Sequence, residues 1–483
     1  MNDSLLPIRG ATPKPGGSAW RELLETGKLG QFALLSLGIW LYAADSLLTA
    51  TIIPTVVEQI GGVRYVNWTI SLYQVGAIIA GATAALLLRR RSLRTVMIHG
   101  ATLYGAGCAL GALAPSMPVF LVARVAQGAG GGLMMAMSYI AVQVYFPEHL
   151  WTRLMAIEAA MWSIGSLLGP LIGGVFAEFG HWRFALWSFA FQAGALVVAA
   201  RLLINGARDS TSKHGKTPWR SILLLSAATL CIAEAGVTPA TPAVLLILLG
   251  MVLLSGAAYG DAKAPNPLLP RQFLDVSHPL GAGLLMIFML SAATTGFWTY
   301  GPLILRSAFG VGALTSGYIL AAESLAWSGA TVAISGLGPR YERRVIGAGV
   351  ALAIAGAIGF APAVRFGSLA GIILCVLLQG GGFGMFWPYS TRRILLSATE
   401  GDGVLAAGAM PTVQRIGYAV GAAAAGIAAN RAGLSDGAPA DLVRRAGFWM
   451  FAAFVPALIA AGFLTRSFLG AKPARPPARL AAP

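Results

Sequence analysis

The chain of 483 residues is 57% hydrophobic and 11% charged, with a mean hydropathy of +0.72, which excludes a soluble globular domain and places it among polytopic membrane proteins. Its net charge of +16 does not point to nucleic acid, because the basic residues fall in short clusters between apolar spans and read as topology signals. Cys108, Cys231 and Cys375 lie in apolar segments without paired or metal-ligand spacing, and the five histidines are scattered, so neither a disulfide framework, a zinc site nor a nucleophile and base pair is expected.

A membrane helix needs roughly 20 apolar residues. Fourteen stretches are candidates, centred near residues 42, 77, 105, 130, 167, 194, 229, 250, 289, 323, 353, 380, 415 and 457. The polar first thirty residues contain Pro13 and Pro15 and lack a signal peptide's apolar core and cleavage site. Residues 1–29 therefore read as a cytoplasmic tail, and the first span as uncleaved. Within that span Asp45 lies thirteen residues past Phe32, about 20 Å along a helix that rises 1.5 Å per residue. A charge at mid-bilayer costs roughly 2.5–3.5 kcal/mol on insertion scales, so intramembrane acids are functional candidates by default. Asp45 reads as a proton or cation site, or as a hydrogen-bonded acid at the outer end of its helix.

Arg89, Arg90, Arg91 and Arg94 form a basic loop after the second span. The fourth span carries Arg124, which needs a partner when desolvated or else snorkels toward the outer surface. The run Gly128-Ala-Gly-Gly-Gly132 that follows has no Lys-Ser or Lys-Thr after it and no strand before it, so no ATP site is read there. In the fifth span Gly165, Gly169 and Gly173 recur every four residues and form a smooth stripe, while Pro170 permits a bend. With Gly174, the stretch reads as a hinge or as a packing seam with no moving part. Glu158, near the start of that span, reads as a helix N-terminal charge favoured by the dipole.

Asn205 to Arg220 is polar and reads as a linker closing a first six-helix bundle over residues 30–205. Ser221 to Val237 and Ala243 to Tyr259, joined by Thr-Pro-Ala-Thr-Pro, form a hairpin within a connecting region, residues 206–278. Glu234 at its outer end reaches an interface. Six more spans over residues 279–468 make a second bundle. Phe297, Trp298 and Tyr300, and in the twelfth span Phe383, Phe386, Trp387 and Tyr389, offer ring faces to a lipophilic cation. Their other readings are an interfacial belt or, for Phe383, ordinary packing. Glu323 has apolar neighbours for several turns on both sides. It reads as a proton carrier or cation counter-charge facing a central cavity, or as the structural partner of a polar group on a neighbouring helix. Arg415 either holds a helix end or lines the pathway. The tail, residues 469–483, is rich in Pro, Ala and Arg and reads as disordered and cytoplasmic.

With the N-terminus inside, cytoplasmic segments hold 25 of the 34 Lys and Arg and the outer loops seven. An even number of crossings with both ends inside explains that bias best. The basic loop after the second span is echoed by Arg340, Arg343 and Arg344 after the tenth. Such paired halves are the sequence sign of a transporter that rocks about a central site.

In order and at these spacings the motifs resemble the major facilitator superfamily, and within it the fourteen-helix drug:proton antiporter branch. Asp45 is followed nine residues later by Pro54, although Leu47 and Ala50 depart from the usual residues between. Trp68 and Tyr73 resemble the aromatic pair of the second helix; Arg124, Gln127, Gly128 and Gly131 resemble the fourth-helix motif; and Gly165, Gly169, Pro170, Gly173 and Gly174 resemble the antiporter motif. Gln379 to Gly384 and Gln414, Arg415 and Gly417 resemble later patterns, so the likeness covers most of Gly30 to Thr465. It departs after the second span, where Ala84 to Leu88 are apolar and no acid precedes the basic cluster; the second copy keeps Glu342.

The resemblance implies an all-α polytopic membrane protein of the major facilitator fold: two six-helix bundles, an inserted two-helix hairpin, fourteen transmembrane helices and both termini cytoplasmic. It implies no enzyme but a proton-coupled multidrug efflux antiporter in the inner or cytoplasmic membrane, conferring antibiotic resistance. Asp45, Glu323 and Arg124 would serve proton coupling and substrate binding. Trp298, Tyr300 and Phe383 would line the cavity, and Arg89, Arg90, Arg94, Arg340 and Arg344 would form cytoplasmic gating loops. The proton gradient would replace any cofactor. The expected partners are a small-molecule substrate, protons and the bilayer, with no nucleic acid and a periplasmic adaptor where the host is Gram-negative; the chain would act as a monomer. The alternatives are the same fold moving a siderophore, an amino-acid derivative or a lipid-like metabolite, and a non-transporting receptor or assembly partner.

Overall fold

The computed structural model describes residues 29–145, 148–204, 219–235, 238, 240–263, 270–334, 337, 339–398, 403–435 and 437–470. Most of the N-terminal tail, nearly all of the polar linker before the hairpin and most of the C-terminal tail lie outside the described residues. The described chain is helical, without a strand. Its helices are α1 (Leu29–Ile60), α2 (Val66–Arg90), α3 (Leu93–Ala112), α4 (Met117–Tyr145), α5 (Glu148–Glu178), α6 (Trp182–Leu203), α7 (Trp219–Ala235), α8 (Ala240–Ala262), α9 (Pro279–Phe309), α10 (Ala313–Ile334), α11 (Glu342–Arg365), α12 (Leu369–Leu396), α13 (Gly403–Arg431), α14 (Ala440–Ala452) and α15 (Val455–Gly470). Among the described residues, nine segments have the length and hydropathy needed to cross a membrane.

The densest packing joins α11 to α12, α3 and α2 to α4, and α1 to α5, within the groups α1–α6 and α9–α15. Glycine makes these approaches close. A Cβ on Gly128 would lie 1.9 Å from the carbonyl oxygen of Tyr73, one on Gly130 2.4 Å from the Tyr104 nitrogen and one on Gly132 2.7 Å from Ala77. The glycine run in α4 is thus a close-packing surface against α2 and α3. Gly128→Ala must displace backbone, because the atom it meets is a carbonyl and not the tip of a flexible side chain. Overpacking of this kind costs roughly 1–3 kcal/mol, and a lower apparent melting temperature and a smaller folded yield than for Gly194→Ala, which meets open space, are the expected result.

The α5 stripe behaves in the same way. Added Cβ atoms would lie 2.9 Å from Ala43 at Gly165, 2.3 Å from the Ala44 oxygen at Gly169 and 2.9 Å from the Leu48 oxygen at Gly173. That face is a packing seam against α1. The adjoining face meets the other group of helices: Gly174 lies against Leu314, and Gly317 of α10 against the carbonyl of Pro170.

The hairpin α7–α8 packs against both groups. Trp68 of α2 donates its indole N–H to the Ala233 carbonyl at 3.2 Å, Ile232 and Ala233 share an apolar cluster with Ala423 of α13, and Ile78, Leu225 and Ile416 share another. At one end of the molecule, the end bearing residues 61–65, 179–181 and 310–312, ionic contacts tie the groups together. Arg306 grips Glu58 with two hydrogen bonds of 2.5 and 2.8 Å, and Glu178 accepts the Leu314 N–H at the start of α10 at 3.1 Å.

Candidate functional site

Asp45 occupies the middle of α1 and is fully buried, as is Arg124 of α4. The two meet: Nη1 of Arg124 lies 3.1 Å from Oδ2 of Asp45. Their surroundings add to the pair, while Nη2 of Arg124 and Nε2 of Gln127 are buried without a partner among the described residues. Arg124 donates from Nη1 to Oε1 of Gln127 at 2.5 Å and from Nε to the Thr69 carbonyl at 3.2 Å, and its guanidinium stands 4.2 Å from the centre of the Tyr73 ring. Thr49 donates to the other Asp45 oxygen at 3.4 Å. Arginine does not snorkel here, because a carboxylate, an amide, a carbonyl and a ring face supply in the interior much of what water would supply outside. The fourth-helix motif is explained by this geometry: Arg124 and Gln127 sit three residues apart on one helix face, and Gly128 lets α2 close enough to bring Thr69 and Tyr73 to them.

Glu323 is the second buried acid, 3% exposed in the middle of α10. Its partners are neutral. Gln379 of α12 donates from Nε2 to Oε1 at 2.7 Å, and Trp298 of α9 donates its indole N–H to Oε2. The approach of α12 again depends on glycine, since a Cβ on Gly380 would come 2.2 Å from the backbone carbonyl oxygen of Glu323 and one on Gly384 2.1 Å from that of Trp327. Beside the carboxylate lies a small cavity of about 10 Å³, room for roughly one water molecule, lined by Thr294, Thr295, Trp298, Glu323, Trp327, Phe383 and Tyr418. Trp327 stacks on Phe383 at 5.1 Å between centroids, and Trp298 lies 5.6 Å from Tyr418. A carboxylate in an aromatic cage can take up a cationic centre by charge and by ring quadrupole together. The cavity is smaller than a typical drug site of about 300–1,000 Å³, so in this conformation the walls are closed around the acid.

Trp298 and Phe383 therefore line the cavity, whereas Tyr300 is fully buried outside its lining, with its hydroxyl unpartnered among the described residues. Glu158 differs from its expected place at the helix start: α5 begins ten residues earlier, at Glu148, because the helix runs on past its apolar part, and Glu158 is 2% exposed. Glu342 accepts from Arg392 and Arg393, each at 2.8 Å, while Arg340 and Arg344 are exposed. The side chains of Arg89 and Arg90 lie outside the described residues, and Arg94 is half-buried. Sequence reasoning did not place Gln379, Trp327 and Tyr418 at the site. Trp327 had a signal, standing four residues after Glu323 and so on the same face of its helix; Tyr418 is brought in from α13, which no local pattern shows.

Known proteins place this architecture. The sequence model of the Major Facilitator Superfamily matches residues 35–422. The chain is similar to the probable multidrug-efflux transporter Rv1634 of Mycobacterium tuberculosis, with 30% identity over 434 residues, 86% of this chain and 90% of that one. It is similar to the multidrug efflux pump SdrM of Staphylococcus aureus, with 23% identity over 65% of this chain and 70% of that one. Among solved structures it shares its fold with an inward-facing bacterial homologue of the lysosomal transporter Spinster (TM-score 0.65, 14% identity, 95% of this chain and 100% of that one) and with a D-xylose-proton symporter (TM-score 0.63, 16% identity, 90% and 97%). With a family match over most of its length, multidrug transporter relatives, and helices long and apolar enough to span a bilayer, the chain belongs to the Major Facilitator Superfamily and is an integral membrane transporter rather than an enzyme.

Proposed function

We propose that the protein exports hydrophobic, often cationic compounds across the cytoplasmic membrane in exchange for protons. The observation that carries this reading is Glu323, an acid at mid-helix with only neutral hydrogen-bond partners, in an aromatic-lined cavity. Burying a bare carboxylate is costly; a proton or a cationic guest relieves that cost, and each excludes the other. Competition for one carboxylate is sufficient to couple two opposed fluxes. The multidrug efflux relatives support the cargo class.

The topology belonging to this reading has fourteen crossings and both termini cytoplasmic, as the basic residues suggest, with bundles over residues 30–205 and 279–468 and the hairpin region 206–278 between them. The Glu58–Arg306 and Glu178–Leu314 contacts then close the outer side. In each cycle Asp45 and Glu323 take up protons from outside, with Arg124 serving the coupling beside Asp45, and the cation is released. The bundles rock where Pro170 and Gly174 meet α10, the proton leaves to the cytoplasm, and cargo rebinds. The proton gradient, worth about 2.3 kcal/mol per charge per 100 mV, drives the cycle.

The test is proton movement. In reconstituted vesicles with an acidic lumen, addition of a quaternary ammonium dye outside should release protons from the lumen at a rate that saturates with dye. Folded protein that releases none would refute the exchange and turn the search to neutral and anionic metabolites.

A further inference from the structure

Arg415 is a charge inside a membrane-spanning helix that this cycle leaves unused. It lies in the interior of α13, half-buried, and makes no ion pair among the described residues. The groups around it are weak acceptors: Nη2 approaches the sulfur of Met135 on α4 at 2.6 Å, and the guanidinium stands 5.1 Å from the centre of the Tyr42 ring on α1. A thioether and a ring face satisfy little of a fork of five donors that is matched to a carboxylate or phosphate. Being half-buried and not sealed, the guanidinium stays open to a guest, and an arginine inside a membrane protein is by default a candidate part of a pathway.

Its position connects it to the Glu323 cavity. Tyr418, three residues further along α13 and therefore a neighbour on the helix surface, lines that cavity, and its ring lies 5.6 Å from Trp298, the residue that donates to Glu323. One ring-to-ring step and one helical-turn step separate the two charges, on the order of 10 Å. Between them lie flat aromatic faces, Trp298 and Tyr418. On its other side Arg415 faces α1, α2 and α4, where a Cβ on Gly81 would come 3.4 Å from its Nη1, so it stands between the two groups of helices.

We propose that Arg415 is the anion-recognising end of the transport cavity, and that the cargo this site fits best is amphoteric: an aromatic body with a cationic centre for Glu323 and a carboxylate for Arg415. This rests on the cation-export reading and sharpens it. An amphoteric guest neutralises both protein charges at once, whereas a simple cation leaves Arg415 with its sulfur and its ring. The arginine fork also gives directionality, since it holds a carboxylate through two parallel bonds and so fixes which end of the guest meets Glu323.

Rhodamine B and its ethyl ester make the test, because the two dyes share one cationic ring system and differ in whether the carboxylate is free. In vesicles, the wild type should transport both and favour rhodamine B. In Arg415→Ala the ratio of rhodamine B to ester transport should fall about tenfold, and Arg415→Lys should keep part of the preference. A ratio unchanged in Arg415→Ala would overturn the proposal. A wild type that moves the ester but not rhodamine B overturns it while leaving cation export standing; a wild type that moves neither dye overturns both. Binding to the purified wild type, read by fluorescence polarisation, keeps the proposal falsifiable should Arg415→Ala fail to fold. Tighter binding of rhodamine B is expected, and an ester that binds as tightly would refute it.

Discussion

Glu323→Gln should abolish cation-driven proton release, by at least about tenfold, while leaving the protein folded. The two halves of that statement have separate causes. Replacing the carboxylate by an amide removes both the titrating group and the charge that a cationic guest needs, so neither partner of the exchange can be held. The hydrogen bonds, however, can be rebuilt. At present Gln379 and Trp298 each donate to one carboxylate oxygen, and Oε1 of Gln379 has no partner among the described residues. A glutamine at 323 presents one acceptor to Trp298 and one donor pair, and rotation of the Gln379 amide turns its unused oxygen toward that donor. The unpartnered atom moves from the oxygen of Gln379 to its amide nitrogen, so the number of unsatisfied groups does not rise, and an uncompensated buried acid has been removed. The apparent melting temperature should therefore stay within a few degrees of the wild type or rise. Proton release at the wild-type rate from the folded variant would remove Glu323 from the exchange, and loss of folded protein would show the acid to be a structural partner of Gln379.

How much of this was legible in the chain depends on the range over which each cause acts. Helix positions follow from apolar runs of membrane-spanning length, a local signal, and each expected centre falls within a described helix. The burial of the mid-helix acids was legible too, because a lone Asp or Glu in such a run must find polar partners inside the protein, and both do. Pairing was not. Asp45 and Arg124 are 79 positions apart, and their meeting is set by glycines in α4 that permit contact with α2 and α3 and by the approach of α1, none of which one sequence states. The α5 stripe showed that some backbone would come close, but not which; the structure gives α1, with α10 on the adjoining face. Glu158 went astray for a related reason. An apolar window marks the membrane-embedded part of a helix, and a helix that continues beyond it carries its true N-terminus out of that window.

The Asp45–Arg124 pair sets the second large effect. Arg124→Ala would leave Asp45 charged, fully buried and held by one 3.4 Å bond from Thr49, and breaking a buried pair from one side typically costs about 3–5 kcal/mol. Asp45→Asn should also destabilise, because Arg124 cannot lose its charge and keeps only Gln127, the Thr69 carbonyl and the Tyr73 ring, with Nη2 unpartnered among the described residues. Combining Asp45→Asn with Arg124→Gln removes both charges and leaves two amides able to bond each other, so the double variant should recover much of the folded yield lost by Arg124→Ala. That recovery is a coupling between contacting residues, to be read from folded yield and apparent melting temperature in detergent, since large membrane proteins seldom unfold reversibly. Damage in the double variant equal to the sum of the Asp45→Asn and Arg124→Gln single effects would show that the residues do not act as a pair. The same protein separates strut from coupling element. An ion pair that only braces α1 against α4 can be replaced by two amides with exchange intact, whereas a pair that passes protons cannot; folded double variant without cation-driven proton release is the expected result, and exchange at the wild-type rate would confine Asp45 and Arg124 to holding the helices together.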